Sequence, residues 1–175
     1  ANNQGTFHET LNMAALYKLP CMFICENNQY GMGTAIDRST AVVDQFKRVC
    51  SYGIESAQCD GQDIDVVYEH ARKAVDYVRS GKGPYFLELM TYRYRGHSMS
   101  DSRGYRTREE EELWKQRDPI FMLRDRLIDA KALTLDEFHK MEKEIDDYIE
   151  NEVIKFAEES PEPNVADLEK YVFAD

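Results

Sequence analysis

The chain has 175 residues, 42% hydrophobic and 11% aromatic, which suits one compact domain or the larger part of a bigger one. Acidic residues outnumber basic ones by 33 to 22, and the net charge of −11 argues against a nucleic-acid partner, which requires a basic face. No apolar run approaches the roughly 20 residues that span a bilayer, and no signal-peptide pattern opens the chain, so we predict an intracellular protein without a membrane partner.

The cysteine spacing argues against a zinc or redox site built from cysteines and against a disulfide framework. The four cysteines lack the CxxC spacing of zinc and redox sites, and they are too sparse for a secreted disulfide scaffold. We therefore predict reduced, mostly buried thiols at Cys21, Cys25, Cys50 and Cys59.

The first half of the chain predicts helices that alternate with buried strands. Apolar residues recur at helical spacing over residues 6–17, and residues 21–25 are continuously apolar, as in a strand covered on both faces. A shorter strand at 54–59 leads into a helix over 64–78, and residues 84–92 are rich in strand-forming side chains. This alternation indicates right-handed βαβ crossovers, and hence an α/β fold with a parallel sheet flanked by helices.

The second half predicts a basic loop and then helices. Residues 92–108 contain five arginines and a single acid, Asp101. Three helix-start signals follow, namely a capping box at Thr107 and Glu110, Asp118 before Pro119, and a second capping box at Thr134 and Glu137. The last helix has an apolar stripe from Leu135 to Phe156, which we expect to pack on the domain, and the final dozen residues form a tail.

Oxygen donors follow the first predicted strand. Residues 26–35 form a loop rich in Gly and Asn at the carboxyl end of that strand, where open α/β sheets bind ligands. Asn28 offers an amide oxygen, and a turn such as the one before Tyr30 exposes backbone carbonyls; both are oxygen ligands of the kind that Mg²⁺ prefers. On spacing alone, an Asn-Asn pair is more often an ordinary turn that binds nothing, and metal binding is the less favoured interpretation.

Four segments near the N-terminus form one longer motif. They are Ala-Asn-Asn-Gln-Gly at 1–5, Asn-Met-Ala-Ala-Leu at 12–16, Lys-Leu-Pro at 18–20 and Glu-Asn-Asn at 26–28. Together they resemble the cofactor motif of thiamine diphosphate-dependent 2-oxo acid dehydrogenase alpha subunits, which opens with Gly-Asp-Gly and closes on a double Asn. The opening triplet would lie just before Ala1, so we expect a piece of a longer protein that lacks the family's aspartate ligand.

This resemblance implies roles for three residues. In the family, the second Asn of the pair and the backbone carbonyl two residues later bind Mg²⁺, which places the metal ligands at Asn28 and Tyr30. Ala1 corresponds to a small residue whose backbone approaches the cofactor diphosphate near a helix N-terminus, where the helix dipole favours an anion.

The basic loop carries a second resemblance. The stretches are Thr-Tyr-Arg-Tyr-Arg-Gly-His-Ser-Met-Ser-Asp at 91–101 and Tyr-Arg-Thr-Arg-Glu-Glu at 105–110. They are similar to the regulatory loop of pyruvate dehydrogenase alpha subunits, which implies a catalytic and cofactor-binding role for His97 over the diphosphate. It also implies phosphorylation at Ser98, where a dianion beside His97 would repel the diphosphate and disorder the loop. Arg93 and Arg95 could neutralise cofactor charge or pair with carboxylates, and we favour pairing.

The resemblance implies a complete functional scheme. The fold is the thiamine diphosphate-binding fold with a C-terminal helical extension, arranged as an α/β part over 1–92, an active-site loop over 93–108 and a helical region over 109–175. The reaction is the Mg²⁺- and thiamine diphosphate-dependent oxidative decarboxylation of pyruvate, with acetyl transfer to a lipoyl group. The partners are a beta subunit, in an α₂β₂ heterotetramer, and the lipoyl domain of dihydrolipoyl acetyltransferase, in the bacterial cytoplasm or the mitochondrial matrix.

Three alternatives remain at this point. An acetoin dehydrogenase alpha subunit shares much of the loop, although Met32-Gly33-Thr34 and Met99 favour pyruvate. A branched-chain 2-oxo acid dehydrogenase fits less well because its loop usually carries a second His after the position of His97. The alternative from outside the enzymes is a cofactor-free fragment that only binds a partner.

Overall fold

A computed structural model describes residues 1–170 and 172, which fall into two compact units. The first unit comprises Ala1–Asp125 and the second begins at Arg126. The three-part organisation over 1–92, 93–108 and 109–175 stays a prediction.

The first unit alternates helices and strands. Its first half comprises α1 (Gly5–Leu16), β1 (Met22–Asn27), β2 (Tyr30–Gly31), β3 (Thr34–Ala35), α2 (Ile36–Ser39), α3 (Gln45–Val49) and a 3₁₀ turn (Cys50–Tyr52). Its second half comprises β4 (Glu55–Asp60), α4 (Ile64–Arg79), β5 (Tyr85–Met90), α5 (Arg108–Lys115) and the start of α6 (Pro119–Asp129). The predicted helices and strands are confirmed in position, but β1 is not covered on both faces as predicted, because Ile24 is 54% exposed. The predicted loop at 26–35 instead includes the end of β1 and the β2–β3 hairpin.

A parallel three-stranded sheet forms the centre of the first unit. Strand β5 lies between β1 and β4, so that Phe86 pairs with Phe23 on one side and Ser56 on the other. Side chains alternate between the faces of a strand. Phe86 belongs to a core cluster with Leu11 of α1 and Val49 of α3, whereas the neighbouring residues of β5 pack with α4. Helices therefore cover both faces, and the predicted α/β fold is confirmed.

Capping signals explain where most of the later helices begin. Thr134 and Glu137 form the predicted capping box at the start of α7 (Leu135–Tyr148). Asp118 accepts a hydrogen bond from the backbone N–H of Ile120 in the first turn of α6. Thr107 caps α5 by accepting from the N–H of Glu110, but the Glu110 side chain binds elsewhere, so only half of that predicted capping box forms.

Apart from Phe138, the apolar stripe of the last predicted helix is exposed. Helix α7 continues through a π-helical turn (Ile149–Ile154) into α8 (Lys155–Glu159). Of the stripe, Phe138 is buried, whereas Ile145, Val153 and Phe156 are exposed. Helical spacing defines an apolar face without specifying what covers it, so the packing of this stripe on the domain stays a prediction.

The remaining sequence predictions concern the tail, the membrane and the cysteines. Val165–Leu168 forms a 3₁₀ turn within the predicted tail, and residues 171 and 173–175 lie outside the described ones. Among the helices that the structure describes, none is both long enough and apolar enough to cross a bilayer. All four cysteines are free, as predicted, but only Cys59 is buried. Cys21 and Cys25 are half-buried and Cys50 is exposed, so the prediction of mostly buried thiols is wrong.

Candidate functional site

The three parallel strands end at one edge of the sheet, and a cavity of about 380 Å³ opens there. Three predicted site residues, Ala1, Asn28 and Tyr30, line this cavity, together with Asn2 and Gln45. Sequence analysis did not single out the last two. The site lies at the carboxyl end of β1, and parallel α/β sheets bind ligands at this edge.

The turn after β1 is fixed by hydrogen bonds on both sides. The side-chain oxygen of Asn27 accepts from the backbone N–H of Gln29 at 3.2 Å, and Gln29 adopts a left-handed conformation with φ 68°. The backbone oxygen of Asn27 accepts from the N–H of Thr91 at 3.0 Å, which ties this turn to the end of β5. The local backbone is thus held by neighbouring strands as well as by its own sequence.

Asn28 and Tyr30 are oriented by different contacts. The side-chain oxygen of Asn28 accepts a hydrogen bond from the hydroxyl of Thr91 at 2.9 Å, and an amide oxygen has a second acceptor position that this bond leaves open. The hydroxyl of Tyr30 donates to the carboxylate of Glu110 at 3.0 Å. Burial and the bond to Glu110 raise the pKa of the Tyr30 phenol. The bond to Glu110 therefore holds the Tyr30 ring in place. It does not involve the Tyr30 backbone carbonyl, which is the predicted metal ligand.

The N-terminus of α1 is open beside Ala1. Gln4 occupies the capping position without a side-chain hydrogen bond, and the first turn of α1 contains no acidic residue. Apart from its two chain neighbours and the nearby backbone of α1, no atom lies within 4 Å of the place where a side chain on Gly5 would begin. The first N–H groups of a 12-residue helix and its dipole favour an anion at such an end.

One carboxylate at this site was missed by sequence analysis. Glu88 lies on the central strand and is 0% exposed. Its carboxylate accepts hydrogen bonds from Asn27 Nδ2 at 2.7 Å, from the backbone N–H of Phe46 at 3.0 Å and from Gln58 Nε2 at 3.1 Å. The available signal was an acidic residue within an otherwise apolar strand, since Glu is almost never fully buried unless it is paired.

Asp101 organises the basic loop. Its carboxylate accepts from the backbone N–H of His97 at 2.8 Å, from the N–H of Arg103 at 2.9 Å and from the hydroxyl of Tyr105 at 2.7 Å. These bonds, led by the one from His97, lower the pKa of Asp101 to about 2. Asp101, the only acidic residue in the sequence from 92 to 108, therefore links His97, Arg103 and Tyr105 within the loop.

A buried ion pair holds the end of the loop. The Arg106 side chain is 1% exposed and its Nε lies 3.0 Å from Glu111, whose side chain is 11% exposed. The Arg106 guanidinium also binds the backbone oxygens of Arg93 and Tyr94 and lies 5.2 Å from the centre of the Tyr92 ring. Arg106 thus joins the start of the loop to α5.

The favoured pairing of Arg93 and Arg95 is not observed. In the described part of the chain neither side chain forms an ion pair, and Arg93 instead donates to the backbone oxygen of His97 at 3.4 Å. Within the loop, the arginines that do pair are Arg103, which lies 2.9 Å from Glu111, and Arg106. The ion pairs of the loop are therefore formed by Arg103 and Arg106 and not by Arg93 and Arg95, as the sequence had suggested.

His97 and Ser98 are both exposed at the outer part of the loop. His97 does not line the cavity, and its hydrogen bonds among the described residues are made by its backbone. The Ser98 hydroxyl lies 2.9 Å from that of Ser100. The structure therefore brings Ala1, Asn28 and Tyr30 together but leaves His97 outside their cavity.

We expect replacement of Asp101 by Asn to open the loop. A carboxamide cannot accept all three hydrogen bonds because its NH₂ group faces donors. Trypsin should then cleave at the loop arginines several-fold faster at neutral pH. Because the pKa of Asp101 is lowered to about 2, its contribution is present above its unfolded pKa near 4 and is lost as the pH falls towards 2. NMR should give a titration midpoint near 2, and Ser102→Ala should cleave like wild type; a midpoint near 4 would contradict this account.

Comparison with known proteins identifies the family of this chain. Residues 1–166 match the family described as dehydrogenase E1 component. The chain belongs to this family. Within it, the chain is 43% identical to the "Pyruvate dehydrogenase E1 component subunit alpha" of Rickettsia felis, over 99% of this chain and 53% of that protein.

Two further relatives extend the comparison of this E1 component chain. It is 46% identical to the pyruvate dehydrogenase E1 component subunit alpha of Rhizobium meliloti, over 96% of this chain and 48% of the relative. It is also 46% identical to the human somatic, mitochondrial form, over 99% of this chain and 44% of the relative. The family resemblance predicted from the two motifs is confirmed. The chain spans about half the length of the curated relatives that it matches.

Proposed function

We propose that this chain contributes the anchoring site for Mg²⁺ and the diphosphate of thiamine diphosphate to a pyruvate dehydrogenase alpha subunit. The observation that carries the proposal is Asn28, which lines the cavity and whose side-chain oxygen keeps one acceptor position open beside its bond to Thr91. An oxygen ligand beside an open helix N-terminus suits a metal–diphosphate pair, because Mg²⁺ usually takes few protein ligands and shares phosphate oxygens.

In this proposal Asn28 and the Tyr30 carbonyl bind the metal, and Ala1 with the start of α1 faces the diphosphate. Thiamine diphosphate supplies the carbanion-stabilising chemistry of decarboxylation when it is bound. The side chains of this chain would then fix the cofactor's charged end. His97 keeps its proposed place over the diphosphate, which requires the loop to approach the cavity when the cofactor is bound.

The same proposal includes a substrate and partners. The relatives are named as pyruvate dehydrogenase subunits and include bacterial and mitochondrial proteins, which supports pyruvate as substrate and either compartment. A beta subunit would complete an α₂β₂ enzyme that transfers the acetyl group to the lipoyl domain of dihydrolipoyl acetyltransferase.

The test uses the full-length protein assembled with its beta subunit. Calorimetry should show saturable binding of thiamine diphosphate that requires Mg²⁺, and acetyl transfer to a lipoyl domain should proceed with pyruvate in preference to acetoin or branched-chain 2-oxo acids. Preference for acetoin would replace pyruvate with the acetoin alternative. Absence of cofactor binding would leave the partner-binding fragment as the better interpretation.

Phosphorylation of Ser98 is a separate part of the proposal. Its hydroxyl is exposed, and a phosphate there would carry about two negative charges close to the Asp101 carboxylate that closes the loop. Like charges at that point would favour opening. Mass spectrometry of protein from its native host tests this, and an unmodified Ser98 under all growth conditions would exclude the site.

A further inference from the structure

Glu88 is a fully buried carboxylate whose three hydrogen-bond donors are all uncharged. It sits on the central strand, opposite Cys25 on β1 and Gln58 on β4. One oxygen accepts from Asn27, and the other accepts from the backbone of Phe46 and the side chain of Gln58. Burying a carboxylate is costly unless it is well hydrogen-bonded, and an apolar residue would fit a strand core more simply. Stability alone therefore does not explain why a carboxylate occupies position 88.

The contacts of Asn27 lead directly from Glu88 to the proposed metal ligands. Asn27 uses its NH₂ group for Glu88 and its side-chain oxygen for the N–H of Gln29, so both ends of the amide are occupied. Its backbone oxygen binds the N–H of Thr91, whose hydroxyl binds Asn28. Glu88 thus fixes the rotamer of Asn27, and Asn27 fixes the turn between Asn28 and Tyr30.

We propose that Glu88 is a positioning residue that sets the conformation of the Asn27–Tyr30 turn for metal and diphosphate binding. This inference rests on the proposed function of Asn28 and Tyr30. Residues that orient metal ligands through hydrogen bonds typically change metal affinity by roughly 10- to 100-fold when they are replaced. Thr91 bonds directly to the proposed ligand Asn28, whereas Glu88 acts on it only through Asn27. We therefore expect the effect of replacing Glu88 to lie at the lower end of that range.

The hydrogen-bond pattern requires an acceptor at both oxygens of residue 88. In Glu88→Gln, one of these positions becomes an NH₂ group that faces either Asn27 or the backbone N–H of Phe46, and both are donors. Asn27 cannot rotate its amide to compensate, because its oxygen already serves Gln29. The substitution keeps the size of the side chain and mismatches its hydrogen bonds at one oxygen.

Exchange of donor and acceptor provides the decisive variant. In the double variant Asn27→Asp with Glu88→Gln, the carboxylate introduced at position 27 would accept from the carboxamide introduced at position 88. It would still accept from the N–H of Gln29. The net charge and the number of hydrogen bonds then equal those of the wild type. A role in positioning predicts that the double variant recovers what each single variant loses.

Two measurements on the full-length protein with its beta subunit test the proposal. Titration of Mg²⁺ at fixed thiamine diphosphate, followed by calorimetry, should show about tenfold weaker metal binding in Glu88→Gln and near wild-type binding in the double variant. Hydrogen exchange without cofactor should show faster exchange of the Gln29 and Thr91 amides in the single variant and recovery in the double variant.

Val78→Ala serves as the matched control because Val78, on α4, is buried in the core cluster on the other face of the sheet. It should lower the thermal midpoint without changing metal affinity or exchange at Gln29 and Thr91. Unchanged metal affinity in Glu88→Gln, or equal losses in the single and double variants, would overturn the proposal. If the wild type fails to bind the cofactor, the proposed function fails instead, and the exchange data alone then decide whether Glu88 holds the turn.

Discussion

Replacing Asn28 with alanine should weaken Mg²⁺-dependent binding of thiamine diphosphate by about 100-fold or more, because even residues that only orient metal ligands contribute roughly 10- to 100-fold. The substitution removes the side-chain oxygen of a residue that lines the cavity and leaves the Thr91 hydroxyl without its acceptor. The free energy of unfolding should change little, since Asn28 is only half-buried. Calorimetric titration of the full-length protein with its beta subunit measures both the affinity and the dependence on Mg²⁺.

Asn12→Ala is the matched control for this substitution. Asn12 is exposed on α1 and does not line the cavity, so the same chemical change there should leave cofactor affinity within about twofold of wild type, the scatter expected for a neutral surface substitution. Equal affinity in Asn28→Ala and wild type would show that Asn28 is a turn residue that binds nothing, which was the alternative left open by its spacing.

The fold was predictable because hydrophobic spacing is a local signal. The continuous apolar run at 21–25 and the three- and four-residue steps over 64–78 correspond to β1 and α4. The β2–β3 hairpin was not predicted because each strand has two residues, too few for a periodic pattern. Exposure of the stripe on α7 also escaped prediction, since periodicity does not specify what an apolar face contacts.

The site was predictable only where a residue type signals its own chemistry. Asn28 follows a buried strand and was identified, but the role of Glu88 depends on donors that come from three other elements, 30 to 61 residues away. Glu110 shows the same limit. Its spacing from Thr107 predicted a local capping box. In the structure, however, the Glu110 carboxylate accepts a hydrogen bond from the hydroxyl of Tyr30, 80 residues away in the sequence. Tertiary contacts decide such cases, and one sequence does not reveal them.

The buried ion pair between Arg106 and Glu111 gives the largest expected effect on stability. Glu111→Ala leaves the Arg106 guanidinium, 1% exposed, without its carboxylate partner, and removal of one member of a buried pair costs about 3–5 kcal/mol. Arg103 loses its ion-pair partner as well. We therefore expect urea unfolding of the full-length protein without cofactor to show a free energy of unfolding lower by about 3 kcal/mol.

The neighbouring Glu112 supplies a control on the same helix. Its carboxylate pairs with Lys115 at 3.4 Å and is 65% exposed, so Glu112→Ala should cost no more than about 1 kcal/mol, as for other surface pairs. A double variant, Arg106→Met with Glu111→Leu, should recover much of the loss because paired apolar residues remove the uncompensated charge. Similar unfolding energies for the two single variants would mean that water reaches the Arg106 guanidinium. The loop would then depend on Asp101 for its closure, and the end that Arg106 joins to α5 would contribute little.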